Sequence, residues 1–248
     1  MNYHWNWRIF GELSPDGVHT YWDTLLSGLA WTLATSLAGW VMALALGFAV
    51  GALRTLPGRW LPLLGTAYVE LFRNVPLLVQ MFLWFFVVPE LLPQAAGDWL
   101  KALPNAPFVT AVVCLGFFTS ARVAVQVTAG IEALAGGQRL AALALGLDLA
   151  QAYRFVLLPL ALRIILPPLT SEFLNIIKNS SVALTIGLME LTASARAIQE
   201  FSFQVFEAFS AATLIYVLAN LIVIAAMRVL ERGWRCPAPW ERGDVHAL

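Results

Sequence analysis

TLLSGLAWTLATSLAGWVMALALGFAVGAL, residues 24–53, carries no Asp, Glu, Lys or Arg. A helix needs about 20 apolar residues to cross a hydrocarbon core, so this stretch predicts a membrane span. Residues 102–121 and 208–227 are equally free of charge. One such run fits the buried helix of a soluble domain; three in one chain point to a polytopic membrane protein. The whole chain is 60% hydrophobic and only 12% charged, about half the charge of an ordinary soluble domain. A formal net charge of zero gives no bulk attraction to nucleic acid. Cys114 falls in a span and Cys236 in the C-terminal tail, so no disulfide framework is expected. The opening MNYHWNWRIFGELSPDG lacks the basic start, apolar core and cleavage site of a signal peptide. Its Trp5, Trp7 and Phe10, with Tyr21 and Trp22, suit a membrane interface, and the first span is expected to stay in the mature protein.

Working outward, five spans are predicted, at about 24–53, 60–88, 108–127, 164–188 and 208–229. Residues 1–23 form an N-terminal interfacial segment and 230–248 a C-terminal tail. Between the third and fourth spans lies a less hydrophobic stretch, 128–163. Lys and Arg in the loops set the orientation. Arg54, Arg59, Arg139, Arg154, Arg163, Arg228, Arg232, Arg235 and Arg242 fall on one side, and Arg8, Lys101 and Arg196 on the other. The richer side is cytoplasmic, which places the N-terminus outside and the C-terminus inside. An odd number of spans fits.

Five ionisable residues fall within spans: Glu70, Arg73, Arg122, Glu172 and Lys178. Each costs roughly 2.5–3.5 kcal/mol or more at a helix centre facing lipid, so they are expected to face a bundle interior, a water-filled path or a partner chain. Glu70 and Arg73 are three apart and can pair on one helix. Pro76 cannot donate to the carbonyl of Phe72, so the second span should kink or break there. Glu172 and Lys178 are six apart and need other partners. Arg122 has no acidic residue nearby; Glu132 is ten positions on. Its two-pronged donor fork suits a carboxylate, either that of a transported acid or that of another span or subunit.

The segment 137–168 reads GQRLAALALGLDLAQAYRFVLLPLALRIILPP. Good helix formers run from Gln138 to Leu145, and Gly146 can end that helix in a left-handed conformation. Asp148 followed by Gln151 forms a capping box for a second helix. Leu145, Leu147 and Leu149 near the turn suit a partner's groove or the bilayer surface.

This segment resembles the cytoplasmic signature loop of ABC importer permeases: Glu-Ala-Ala, three residues, Gly, nine residues, then Ile-x-Leu-Pro. Here the register is Leu140-Ala141-Ala142, Gly146 and Val156-Leu157-Leu158-Pro159. Leu140 replaces the Glu and Val156 the Ile. Residues 68–80, YVELFRNVPLLVQ, are similar to the second-span signature of the polar amino acid branch, and Asn175-Ile176-Ile177-Lys178-Asn179-Ser180-Ser181 with Ile186-Gly187 is similar to a later one. Asn74-Val75, residues 88–93 (VPELLP) and residues 118–123 (FTSARV) most resemble the glutamate/aspartate type. Many relatives carry Tyr at the position of Arg122, and Glu and Arg at those of Val125 and Thr128. The exchange adds positive charge, which suits an acidic substrate.

The resemblance covers about residues 24–229. It implies an all-α, type-1 ABC importer permease in a bacterial inner membrane. It also implies a second permease subunit, the same chain or a different one, two cytoplasmic ATPases and a periplasmic amino acid-binding protein. In that scheme 137–168 is the ATPase-coupling segment, with Leu140, Ala141, Ala142, Gly146, Asp148, Leu158 and Pro159 at its contacts. No P-loop is present: neither Lys101 nor Lys178 stands in a G-x-x-x-x-G-K-[ST] context. The chain is therefore expected to bind no cofactor and to leave ATP to its partner. The competing reading is a self-sufficient secondary transporter, which predicts internal repeats and broken-helix ion sites. The sequence shows a broken span but no repeat. His4, His19 and His246 lie in terminal segments, and no catalytic or metal constellation is visible.

Overall fold

The computed structural model describes residues 3–134 and 137–234. Among these residues nine helices follow one another. They are α1 (Tyr21–Thr55), α2 (Trp60–Asn74), α3 (Leu77–Leu91), α4 (Gln94–Lys101) and α5 (Ala106–Glu132), then α6 (Gly137–Ala144), α7 (Leu149–Ile186), α8 (Leu191–Ser202) and α9 (Val205–Trp234). A short 3-10 helix, Trp7–Gly11, precedes them. The only extended pairing among the described residues is a single bridge between Leu13 and Thr20. Helices α1, α5, α7 and α9 are each long and apolar enough to cross a membrane, and α2 with α3 makes a fifth if the bent pair is one span. Arg235, Cys236, Arg242 and His246 lie outside the described residues.

Helix α1 starts at Tyr21 because Thr20 and Asp23 cap it reciprocally. The Thr20 N–H donates to Asp23 Oδ2 at 2.9 Å, and the Asp23 N–H donates to Thr20 Oγ1 at 3.2 Å. The predicted start at 24 overlooked that box. Helix α1 packs most extensively on α5. Its Gly47 and Gly51 make the approach possible: a Cβ there would stand 2.5 Å from Val123 Cγ1 and 2.6 Å from Val127 Cβ. Small residues let helices meet closely in lipid, where no hydrophobic force drives them together. Helix α5 is the central post, 56% buried over its apolar window, against 17% for α9.

The break at Pro76 is real. Helices α2 and α3 meet at 100°. Val75, forced away from helical angles by the following proline, is extended at φ −90°, ψ 129°. The break strands the carbonyls of Phe72 and Val75, and the buried side chain of Gln80 donates to both, at 2.8 and 2.9 Å. Proline acts differently at two other places. The Val88 N–H donates to Leu83 O just before Pro89, and the Leu158 N–H donates to Tyr153 O just before Pro159. Each helix thus widens by one residue into a π turn, which lets it pass its proline.

Three connections hold more structure than the sequence predicts. Helix α7 runs without interruption from Leu149, joining the helix predicted after Asp148 to the fourth predicted span. Arg163 and Ile164 lie inside it, and Pro167 and Pro168 do not end it. Charge, rather than backbone, changes at 164. Helix α4 occupies the connection after α3, with Lys101 and Glu90 paired at 2.6 Å on the surface. Helix α8 fills the connection before α9. Its cap is Glu190, fully buried, which accepts from the Thr192 and Ala193 N–H groups at 3.0 and 2.8 Å and from the Tyr216 hydroxyl at 2.8 Å. Burial raises the Glu190 carboxyl above its ordinary pKa, outweighing those hydrogen bonds.

Candidate functional site: an unpaired arginine and an exposed lever

Arg122 projects from the middle of α5, half-buried, with its guanidinium carbon 5.0 Å from the centroid of the Phe118 ring one turn earlier. Its Nε is buried without an acceptor. No carboxylate among the described residues pairs with it; the ion pairs found there join Asp16 to His19, Glu90 to Lys101 and Glu200 to Arg196. Glu172, on α7, is 9% exposed and has its Oε2 buried without a donor. Arg122 and Glu172 are therefore not each other's partner. Buried polar groups are nearly always satisfied; among the described residues Thr35 Oγ1, Arg54 Nε, Gln80 Oε1 and Asn220 Oδ1 are also left without a partner, and Arg122 and Glu172 stand out from these as charged groups within the predicted spans.

The other three span residues differ. Glu70 and Arg73 do not pair: Asn74 Nδ2 donates to Glu70 at 2.6 Å, and both charged side chains are exposed. The end of α2, immediately before the break, favours that i,i+4 partner. Lys178 is exposed on α7 near its 3-10 end and makes no ion pair among the described residues.

The sequence reading missed the aromatic ladder beside Arg122. Phe72 of α2 stacks on Phe117 of α5 with centroids 5.0 Å apart, and Trp84 of α3 stacks on Phe117 at 5.1 Å. The Tyr68 hydroxyl lies 2.7 Å from Ser120 Oγ. These contacts fix α2 and α3 to the segment of α5 that carries Arg122. Periodicity cannot reveal them, because they join helices 30 or more residues apart in sequence.

The segment 137–168 folds as its residues predict over its first half. Helix α6 ends at Ala144, and Gly146 follows at φ +87°. Nothing lies within 4 Å of a Cβ built on Gly146, so the backbone angle alone demands glycine there. Asp148 and Gln151 close their box: the Gln151 N–H donates to Asp148 Oδ1 at 2.7 Å, and the Asp148 N–H to Gln151 Oε1 at 3.0 Å. Ala142 is buried where α6 meets the start of α7, while Leu140, Ala141 and Leu143 are exposed and Leu145 is 84% exposed. Leu147 and Leu149 are half-buried, so the exposed apolar face is centred on α6. Leu158 is half-buried and Pro159 exposed where the π turn ends.

The chain matches, over residues 24–235, the family described as the binding-protein-dependent transport system inner membrane component. It belongs to this family.

It is therefore a transport-permease chain and a multi-pass inner-membrane protein. It is 50% identical over 240 residues to the glutamate/aspartate import permease protein GltJ of Escherichia coli K12, covering 96% of this chain and 98% of that one. It is 32% identical to the probable glutamine ABC transporter permease protein GlnM of Bacillus subtilis, over 84% of this chain and 91% of that one. Among solved structures, an amino acid ABC transporter with histidines matches at a TM-score of 0.71 and 30% identity, covering 86% of this chain and 94% of that chain. An inward-facing MetNI methionine ABC transporter matches at 0.73, covering 90% of this chain and all of that one. At 18% identity that second likeness speaks for the fold alone. It agrees with an all-α, type-1 permease of four to five apolar spans.

Proposed function

We propose that this chain is the permease subunit of an ATP-driven importer of acidic amino acids, and that Arg122 is the cation in its path that meets the substrate carboxylate. The observation that carries the reading is the buried, acceptor-less Nε of Arg122 in a chain half identical, along its whole length, to a glutamate/aspartate permease. A guanidinium resting on an aromatic ring, with its Nε buried and no carboxylate of its own among the described residues, is partly desolvated for a bidentate partner. Glu172, whose Oε2 lacks a donor, suits the substrate ammonium, and Lys178, Glu70 and Arg73 are assigned to the same route as the remaining charges of the predicted spans.

The remaining parts follow from the resemblance. Residues 24–229 form the transmembrane domain, with the N-terminal segment outside and the tail inside. A second permease, identical or not, completes the path. The binding protein delivers the amino acid. Two ATPases seat the exposed α6 leucines and the Gly146 turn, and their closure moves 137–168 as a lever. A partner can shift the permease only through contacts that differ between its two states, and the exposed face of α6 offers such contacts.

The test is reconstitution of the chain with its ATPase, second permease and binding protein in liposomes. ATP-dependent uptake of labelled glutamate or aspartate, absent when the chain is alone, is expected. Uptake of glutamine in preference to either acid would overturn the substrate assignment. Uptake by the chain alone would favour a self-sufficient transporter.

A further inference from the structure

A second polar site lies at the coupling-segment end of the spans, away from Arg122. The ends of α1 and α5, the helix α6 and the start of α7 border an open cavity of about 380 Å³, within the size range of small-molecule sites. Three charged side chains line it: Arg54 from the last turn of α1, Glu132 from the end of α5 and Arg139 from α6. None makes an ion pair among the described residues. Arg54 reaches only the Thr128 hydroxyl, at 3.4 Å, and its Nε has no acceptor. Arg139 and Glu132 are exposed. The Tyr153 hydroxyl is not free for a ligand: it donates to Thr55 O at 2.7 Å and lies 3.2 Å from Thr55 Oγ1, making a fixed floor. Ile131, Leu134 and Leu157 supply an apolar wall.

Two guanidiniums and one carboxylate around a small, partly apolar cavity are the charge inverse of two carboxylates and one ammonium on a short methylene chain. We infer that this cavity binds an acidic amino acid from the coupling-segment side, with Arg54 and Arg139 on its carboxylates and Glu132 on its ammonium. The inference rests on the substrate class proposed above, and it adds a second site with a different consequence. Arg139 rides on α6, whereas Arg54 and Glu132 belong to the membrane body. A ligand bridging them fastens the lever to the body. It therefore favours whichever state holds the two together and opposes the movement that transport requires. Accumulated product slows further import.

The test uses the complete transporter in liposomes, with ATP inside and binding protein outside, and each variant is normalised to its own uptake into vesicles without internal ligand. Internal glutamate is expected to slow the initial uptake of external label. Glutarate, which lacks the ammonium, and glutamine, which lacks the second carboxylate, should be about tenfold weaker, the ratio for one lost contact of 1.4 kcal/mol. Inorganic phosphate should do nothing. Glu132→Gln should raise the half-inhibitory concentration of glutamate about tenfold while leaving that of glutarate unchanged; Arg139→Gln should weaken both. Inhibition by phosphate as strong as by glutamate, or inhibition untouched in both variants, would overturn the inference. Equilibrium binding of labelled glutamate to the detergent-purified complex, in an Arg122→Ala background, needs no transport. Equal affinity with and without Glu132→Gln there overturns the site even if glutamate proves not to be imported, and absence of import with an intact Glu132 effect overturns only the proposed function.

Discussion

Glu190 and Glu207, beside α8 and at the start of α9, are fully buried and fully partnered. Glu190 takes two backbone N–H groups and a tyrosine hydroxyl; Glu207 takes the Asn6 N–H at 2.7 Å and the Tyr3 hydroxyl. Along α5 and α7, Arg122 and Glu172 each keep a buried polar atom with no partner. All four positions carry the cost of removing charge from water. At the first pair the protein recovers it locally and gains a fixed junction among the N-terminal segment, α1, α8 and α9. At the second pair the cost is left open. Burial of charge alone thus does not separate the two pairs; satisfaction of that charge does.

The comparison breaks most sharply at Arg122. Arg122→Ala should lower the glutamate transport efficiency about a hundredfold, the scale of losing a desolvated carboxylate partner worth roughly 3 kcal/mol, with the thermal unfolding midpoint in detergent little changed. Loss of folding with normal transport per folded molecule would make Arg122 structural. Glu190→Ala should do the reverse. Two N–H groups and a hydroxyl lose their acceptor, costing about 2–3 kcal/mol of stability, measured as a lower unfolding midpoint, while the surviving molecules transport normally. Because the folded state holds the Glu190 proton more tightly than the unfolded chain, the carboxyl's pH-linked stability is fullest below its unfolded pKa. It falls as pH rises toward the raised folded value. Glu190→Gln should flatten that part of the pH profile. A smaller effect on stability than that of Glu190→Ala belongs to Gly146→Val. No side chain crowds the site, so the cost is the left-handed backbone, about 1–2 kcal/mol, localised at the lever. The expected result is ATP hydrolysis that continues while uptake falls, read as ATP consumed per substrate imported; an unchanged ratio would remove Gly146 from the coupling path.

Much of this was legible from residue order. The charge-free runs predict spans because lipid tolerates few charges, and four of the five stretches appear as long apolar helices. Pro76 predicts the break, Gly146 the left-handed turn, and Asp148 with Gln151 the cap, because each is local chemistry of the backbone. Less legible was the extent of the helices. Pro167 and Pro168 stand inside α7 without ending it, whereas Pro76 turns the chain by 100°. Proline removes a donor in every case; whether the helix survives depends on what neighbouring elements supply. At Pro76 the stranded carbonyls find Gln80, and at Pro89 and Pro159 a π turn absorbs the ring.

Sequence by itself therefore determined the class of the protein, the places where its backbone turns, and the set of charges that must not face lipid. It could not say which charges are paired. Glu70 prefers Asn74 to Arg73, Glu190 finds Tyr216, and Arg122 finds an aromatic face and no carboxylate among the described residues. Pairing is set by which helices meet and at what register, and those distances exist only once α1, α5, α7 and α9 have packed.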